Sequence, residues 1–337
     1  MLYSSLEEVT RKFLFQCLQT VLETPRLASQ IKMYTGWHKP WTWIKASATL
    51  HFSIRADFKT LIQSGIESCA SDEQEAHDWY EAIVDGSWDA ATALLLAYLP
   101  SLQHLHLKIC GVHESYPGPY YYRVQDKQED YYWIHEIVMQ AAQLQLQRII
   151  SPQALEHLTS LTIVPNKATN RELSMSKLMP FLKLRSVKTI VLNGWDLTSW
   201  DTDLDVELNV VEMELLNFNI MLGFTSLFRT CFPRLEILSY NHLDVTKYSS
   251  QPQPNAFIRT LKQVHPPLRE LRMTDWSIAE PFSAPDPAHI ESLSTFPGLE
   301  IIEIMSFERW VNWLPESESV HFSMAERLPD SVKELTL

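Results

Sequence analysis

The sequence predicts an α/β chain in which short parallel strands stack into a curved sheet with helices on its convex face. Three observations carry the prediction: apolar residues recur at −3, 0 and +2 around a series of centres, proline recurs at −5 from those centres, and helical periodicity fills the stretches between. The centres are Leu105, Leu161, Ile190, Met213, Leu238, Leu271, Ile302 and Leu335. Their spacings are 56, 29, 23, 25, 33, 31 and 33 residues, all but the first near one short repeat.

In a chain that is 45% hydrophobic, about one window in eleven meets three apolar positions by chance. Proline is rarer, at 19 residues in 337, and composition predicts about 0.5 of them among eight −5 positions. Pro100, Pro233, Pro266 and Pro297 all stand there. Position +5, where regular repeats cap the turn after the strand with Asn or Cys, holds Cys110, Asn166, Trp195, Phe218, Leu243, Trp276 and Phe307. Position +7 holds Val112, Ala168, Leu197, Ile220, Val245, Ile278 and Arg309. The pattern L-x-x-L-x-L-x-x-(N/C)-x-L is recognisable, with large apolar residues mostly replacing the polar cap. It predicts a single irregular leucine-rich-repeat solenoid over residues 1–337.

Taken in chain order, residues 6–22 place Val9, Phe13, Leu14, Leu18, Val21 and Leu22 at helical spacing and stop before Pro25. A helix over 89–98 feeds the proline-led strand around Leu105. A longer one over 130–149 has Ile134, Ile137, Val138, Ala141, Leu144 and Ile149 on one side. Shorter helices over 175–182, 221–231, 257–264 and 287–294 lead into later strands. Segments 113–130, 247–255 and 280–287 are rich in proline, serine or glutamine and read as surface loop insertions.

Composition narrows the function classes. The formal net charge of −13 repels phosphate backbones and anionic membranes, so neither nucleic acid nor a membrane is an expected partner. Cys17, Cys69, Cys110 and Cys231 are scattered, form no C-x-x-C pair and read as reduced thiols. No signal peptide, membrane-length apolar run or N-x-S/T sequon is present, so a cytoplasmic or nuclear location is expected.

Several arrangements of reactive residues need weighing. Asp201, Asp203, Asp205 and Glu212 occupy positions 1, 3, 5 and 12 of a calcium-loop pattern. Position 6, which needs glycine for a sharp turn, is the β-branched Val206, so a solvated acidic loop is expected instead. His104 and His106 share one strand face, with His113 the nearest third ligand, and read as surface histidines. G-x-S-x-G, G-x-x-x-x-G-K-[ST] and G-x-G-x-x-G are absent, and the His135-Glu136 pair leads to Met139 rather than a second histidine. No catalytic role, cofactor or metal is expected. Tyr116, Tyr120, Tyr121, Tyr122, Tyr131, Tyr132 and Trp133 form an aromatic cluster, read first as packing and second as a binding patch.

Strand alternation places the candidate binding surface. If positions 0 and +2 point to the core, −1, +1 and +3 point to the opposite, concave face. The partner-binding candidates there are His104, His106, Lys108, Thr162, Thr189, Asn193, Glu212, Glu214, Asn241, Glu270, Arg272 and Glu303. Early strands are basic or neutral and later ones mostly acidic, which would steer a basic patch of a protein partner to the later half.

Four stretches carry a family resemblance: FLFQCLQTVLETPRLASQIK at 13–32, WDAATALLLAYLPSLQHLHL at 88–107, FPRLEILSY at 232–240 and FPGLEIIEI at 296–304. They resemble the fungal F-box/leucine-rich-repeat-like proteins, the first looking like that family's opening helix and first strand. The resemblance implies a solenoid that recognises a protein substrate. It also implies an F-box ahead of the first helix that docks a ubiquitin-ligase adaptor, and the residues before Leu6 are too few to form one. An adaptor is therefore expected only if an F-box lies upstream, and a free-standing scaffold is the alternative.

Overall fold

The computed structural model describes residues 5–9, 11–37, 56–109, 132–147, 154–165, 175–193, 207–218, 231–242, 261–262, 267–274, 293–304 and 328–336. The chain forms two compact units, Met1–Arg171 with Met179–Val187, and Glu172–Leu178 with Lys188–Leu337. The first holds strands β1 (Ser5–Val9), β2 (Met33–Trp37), β3 (His104–Ile109) and β4 (Ser160–Pro165), paired in parallel in chain order. The second holds β5 (Thr189–Asn193), β6 (Glu212–Phe218), β7 (Ile237–His242), β8 (Glu270–Thr274), β9 (Ile301–Ile304) and β10 (Glu334–Thr336), paired the same way.

The predicted centres stack in register within each unit. Leu105 pairs with Leu161; Ile190, Met213, Leu238, Leu271, Ile302 and Leu335 pair in succession. Among them all but Leu335 are buried at position 0, as are Leu107, Ile163, Leu192, Leu215, Tyr240, Met273 and Ile304 at +2. Each repeat thus adds one in-register layer to an apolar core, the arrangement by which repeats that cannot bury their own face stabilise one another.

A tight turn explains the recurring proline. The −3 amide donates to the −6 carbonyl in Leu102 to Leu99, Leu158 to Leu155, Val187 to Leu184, Leu235 to Phe232, Leu299 to Phe296 and Val332 to Pro329. Position −5 is the second residue of that four-residue turn, where proline's fixed φ fits, and Pro100, Pro233 and Pro297 occupy it. Pro266 lies outside the described residues. The −6 residues Leu99, Leu155, Leu184, Phe232 and Phe296 are buried, a core position the apolar triplet did not include. From the next position the chain enters the ladder: one −2 carbonyl accepts two amides of the following repeat, as Val211 does from Glu236 and Ile237, and Glu300 from Lys333 and Glu334.

The helices of the first unit are α1 (Arg11–Glu23), α2 (Pro25–Ala28), α3 (Ala56–Glu67), α4 (Glu73–Val84), α5 (Trp88–Ala97) and α6 (Tyr132–Gln147); α7 (Met175–Leu182) follows. In α5 every residue from Ala90 to Leu96 is buried, so this apolar helix is the centre of the unit's helical layer. Its Ser87 hydroxyl caps the Ala90 amide. Asp89 in its first turn accepts the amides of Trp133 and Ile134, at 2.8 and 3.2 Å, and so caps α6. The Trp133 ring then stacks on Trp79 of α4 at 5.3 Å. This part of the aromatic cluster is packing, as first expected, while Tyr116, Tyr120, Tyr121, Tyr122 and Tyr131 lie outside the described residues.

The structure corrects the expected helix over residues 6–22. Ser5–Val9 is a strand, and the helix starts at Arg11. The register runs Leu6↔Tyr34 and then Val9↔Gly36, so a bulge inserts one extra residue. The three-residue spacing of Leu6 and Val9 is that bulge rather than a helical turn. Helices α3 and α4 were not expected, and the first strand that the resemblance placed within residues 13–32 lies just after those residues, as β2 at Met33–Trp37. The α3–α4 pair sits between β2 and α5, with Phe58, Ile62, Ile66, Trp79 and Ile83 buried. The predicted helices over 221–231, 257–264 and 287–294, and the three loop insertions, fall largely or wholly outside the described residues. No described helix is long and apolar enough to cross a membrane.

Candidate functional site

In each unit the strand face opposite the core aligns its described residues in rows. In the first unit, Met33, His104 and Ser160 are partners in one row, and Thr35, His106 and Thr162 in the next. Lys108 follows beside Val164. His104 is exposed, whereas His106 and Lys108 are half-buried between their neighbours. Burial and, second, the positive charge of Lys108 hold the His106 imidazole below its ordinary pKa. A metal would need a third ligand; no group of three metal-binding residues occurs among the described residues, and His113 lies outside them.

In the second unit the −1 row is Thr189, Glu212, Ile237, Glu270, Ile301 and Glu334, and the +1 row is Val191, Glu214, Ser239, Arg272, Glu303 and Thr336. The Thr189 hydroxyl donates to Glu212 at 3.1 Å. In the +3 row the Asn241 amide donates to Thr274 at 3.2 Å, and Asn193 lies beside Leu216 on β6.

Glu270 departs from the expectation that these positions are open. Only 9% of it is exposed, because Ile237 and Ile301 flank it in the row and Arg272 pairs with its carboxylate. Arg272 also reaches Glu303, Nε to Oε2 3.6 Å. The later half is therefore less acidic to an approaching partner than its sequence implies. Glu212 and Glu214 on β6, the unit's second strand, are half-buried, and Glu334 on β10 is exposed.

A second charged line runs along the rim at −2. Arg269 bridges Glu236 at 3.6 Å and Glu300 at 3.2 Å, and Lys333 reaches Glu300 at 2.8 Å. Hydrogen bonds from Lys333 and then Arg269 hold the Glu300 carboxyl below its ordinary range.

Residues the sequence reading missed are Met33 and Thr35 on β2, beside the two histidines. Their signal was Ala28, Ile31 and Tyr34 at −6, −3 and 0, but +2 is Gly36. A Cβ there would lie 2.8 Å from the Tyr34 ring and 2.9 Å from Trp88, so the Tyr34 ring fills the space an apolar +2 side chain takes elsewhere. The calcium-pattern aspartates Asp201, Asp203 and Asp205 lie outside the described residues, and Glu212 of that pattern opens strand β6.

A family model described as leucine-rich repeat domain matches residues 8–272, which spans most of the chain. No curated protein matches the chain.

Proposed function

We propose that this chain, which belongs to the leucine-rich repeat domain family, holds another protein against the sheet face opposite its core. The observation that carries it is the division of strands β5 to β9: 0 and +2 build the core, while −1 and +1 form rows of mostly polar and charged side chains, broken by Val191, Ile237 and Ile301. Repeat scaffolds use such a face for binding, and the family is typically a non-enzymatic interaction domain.

In the second unit Glu212 and Glu214 favour a partner that presents a basic patch, steered by a chain of net charge −13. Substrate recognition for a ubiquitin ligase is the finer reading, supported by the likeness of the stretches at 13–32, 88–107, 232–240 and 296–304 to the repeat region of fungal F-box/leucine-rich-repeat-like proteins. A free-standing scaffold uses the same face, and co-purification of a ligase adaptor separates the two. Both fit a reducing compartment, cytoplasm or nucleus, where Cys17, Cys69 and Cys231 would stay reduced thiols.

Affinity purification from the native cells, followed by mass spectrometry, tests the proposal. A partner should be recovered with the unmodified chain and lost with Glu212→Lys/Glu214→Lys. Equal recovery with both chains would place binding elsewhere.

A further inference from the structure

We propose that β3 of the first unit is a docking strip for an extended acidic segment of a partner protein, its alternate carboxylates meeting His104, His106 and Lys108. This rests on the protein-holding role of the face and adds the chemistry of what the first unit holds.

The three groups lie along one strand rather than across several, at −1, +1 and +3 of the same repeat. Same-face neighbours on a strand are about 6.5–7 Å apart, which is also the spacing of alternate side chains in an extended peptide. An acidic segment aligned with β3 therefore meets a basic side chain at every second residue. The flanking strands oppose it nowhere: β2 contributes Met33 and Thr35, and β4 contributes Ser160, Thr162 and Val164, all uncharged. Thr35, Ser160 and Thr162 add hydroxyls that can donate to a carboxylate.

Charge points to the same occupant. The chain is strongly acidic overall, and the second unit's face carries Glu212, Glu214, Glu303 and Glu334, yet these described rows of β2, β3 and β4 hold no carboxylate. The two imidazoles are the core of the strip, and neither is hydrogen-bonded to another described residue. The half-buried His106, disfavoured as a cation beside Lys108, gains a counter-charge when an acidic segment arrives. Binding then takes up a proton, so affinity rises as pH falls towards and below the ordinary histidine range.

The test uses the full chain and two short fluorescent peptides of identical composition, one alternating glutamate with serine and one with its glutamates in a block. The alternating peptide should bind about fivefold tighter than the block, the scale of one exposed ion pair. Its affinity should rise between about pH 7.5 and about pH 5.5 and fall with salt. His106→Gln should flatten the pH dependence without changing the melting temperature. Equal binding of the two peptides, or a flat pH profile in the unmodified chain, overturns the proposal even if the variant fails to fold. A cellular partner lost on Glu212→Lys/Glu214→Lys, together with no binding of either peptide, also overturns it and leaves the broader reading standing.

Discussion

Arg272 on β8 lies across the sheet from Glu303 on β9, with Nε 3.6 Å from Oε2, while its Nη2 pairs with Glu270 on its own strand. One guanidinium thus serves two carboxylates, and the three side chains form a patch that is structural before it is available to a partner. Charge changes on this face therefore separate into two kinds. Glu270→Lys places a cation in a nearly closed site beside Arg272 and should destabilise by about 1–3 kcal/mol, discounted because Arg272 is half exposed. Glu214→Lys should leave the melting temperature nearly unchanged, as surface substitutions do. Denaturant titration of the two variants checks this, and equal stability would contradict the pairing.

The in-register core predicts a contrast between an inner and an outer repeat. Leu271 is fully buried, so Leu271→Ala should cost about 2–5 kcal/mol. Leu335 occupies the same frame position but is 38% exposed, so Leu335→Ala should cost much less. Similar midpoints for the two variants in urea would show that the frame does not set burial.

Gly36 and Tyr34 make a third case. A methyl group at Gly36 would meet the Tyr34 ring at 2.8 Å and Trp88 at 2.9 Å, so Gly36→Ala should destabilise the first unit by about 1–3 kcal/mol. Thermal unfolding followed by tryptophan fluorescence reads this out. A neutral substitution would mean that the ring does not fill the +2 space.

That pair also shows what the sequence could and could not reveal. All eight predicted centres lie on strands and align within each unit because each carries bulky apolar side chains at −3, 0 and +2. Tyr34 was missed because one large ring does the work of two positions. Ser5–Val9 was misread because a bulge gives a strand the spacing of a helix. On the candidate face, alternation placed His104, His106, Glu212 and Glu214 by counting. The closure of Glu270 depends on Ile237 and Ile301, which reach it only through the register of three strands.

The rim line predicts a pH dependence. Glu300 has a folded-state pKa below its ordinary value, so its pairing adds stability above the ordinary carboxylate range and loses it as pH falls through the lower, folded-state value. Lys333→Met combined with Arg269→Met should lower stability near neutral pH and converge with the unmodified chain below the folded-state value, which flattens the acid limb of the profile. An identical acid limb in the variant would show that the ladder is electrostatically idle.

The most direct measurement of the central claim is photo-crosslinking from two positions of the second unit. Benzoylphenylalanine replaces Ser239, in the middle of the +1 row, or Thr295, exposed on the side that covers the core. If the face opposite the core holds the partner, the Ser239 position crosslinks it in native cells, Glu212→Lys/Glu214→Lys abolishes that product, and the Thr295 position yields none. Crosslinking from Thr295 with none from Ser239 would contradict the account.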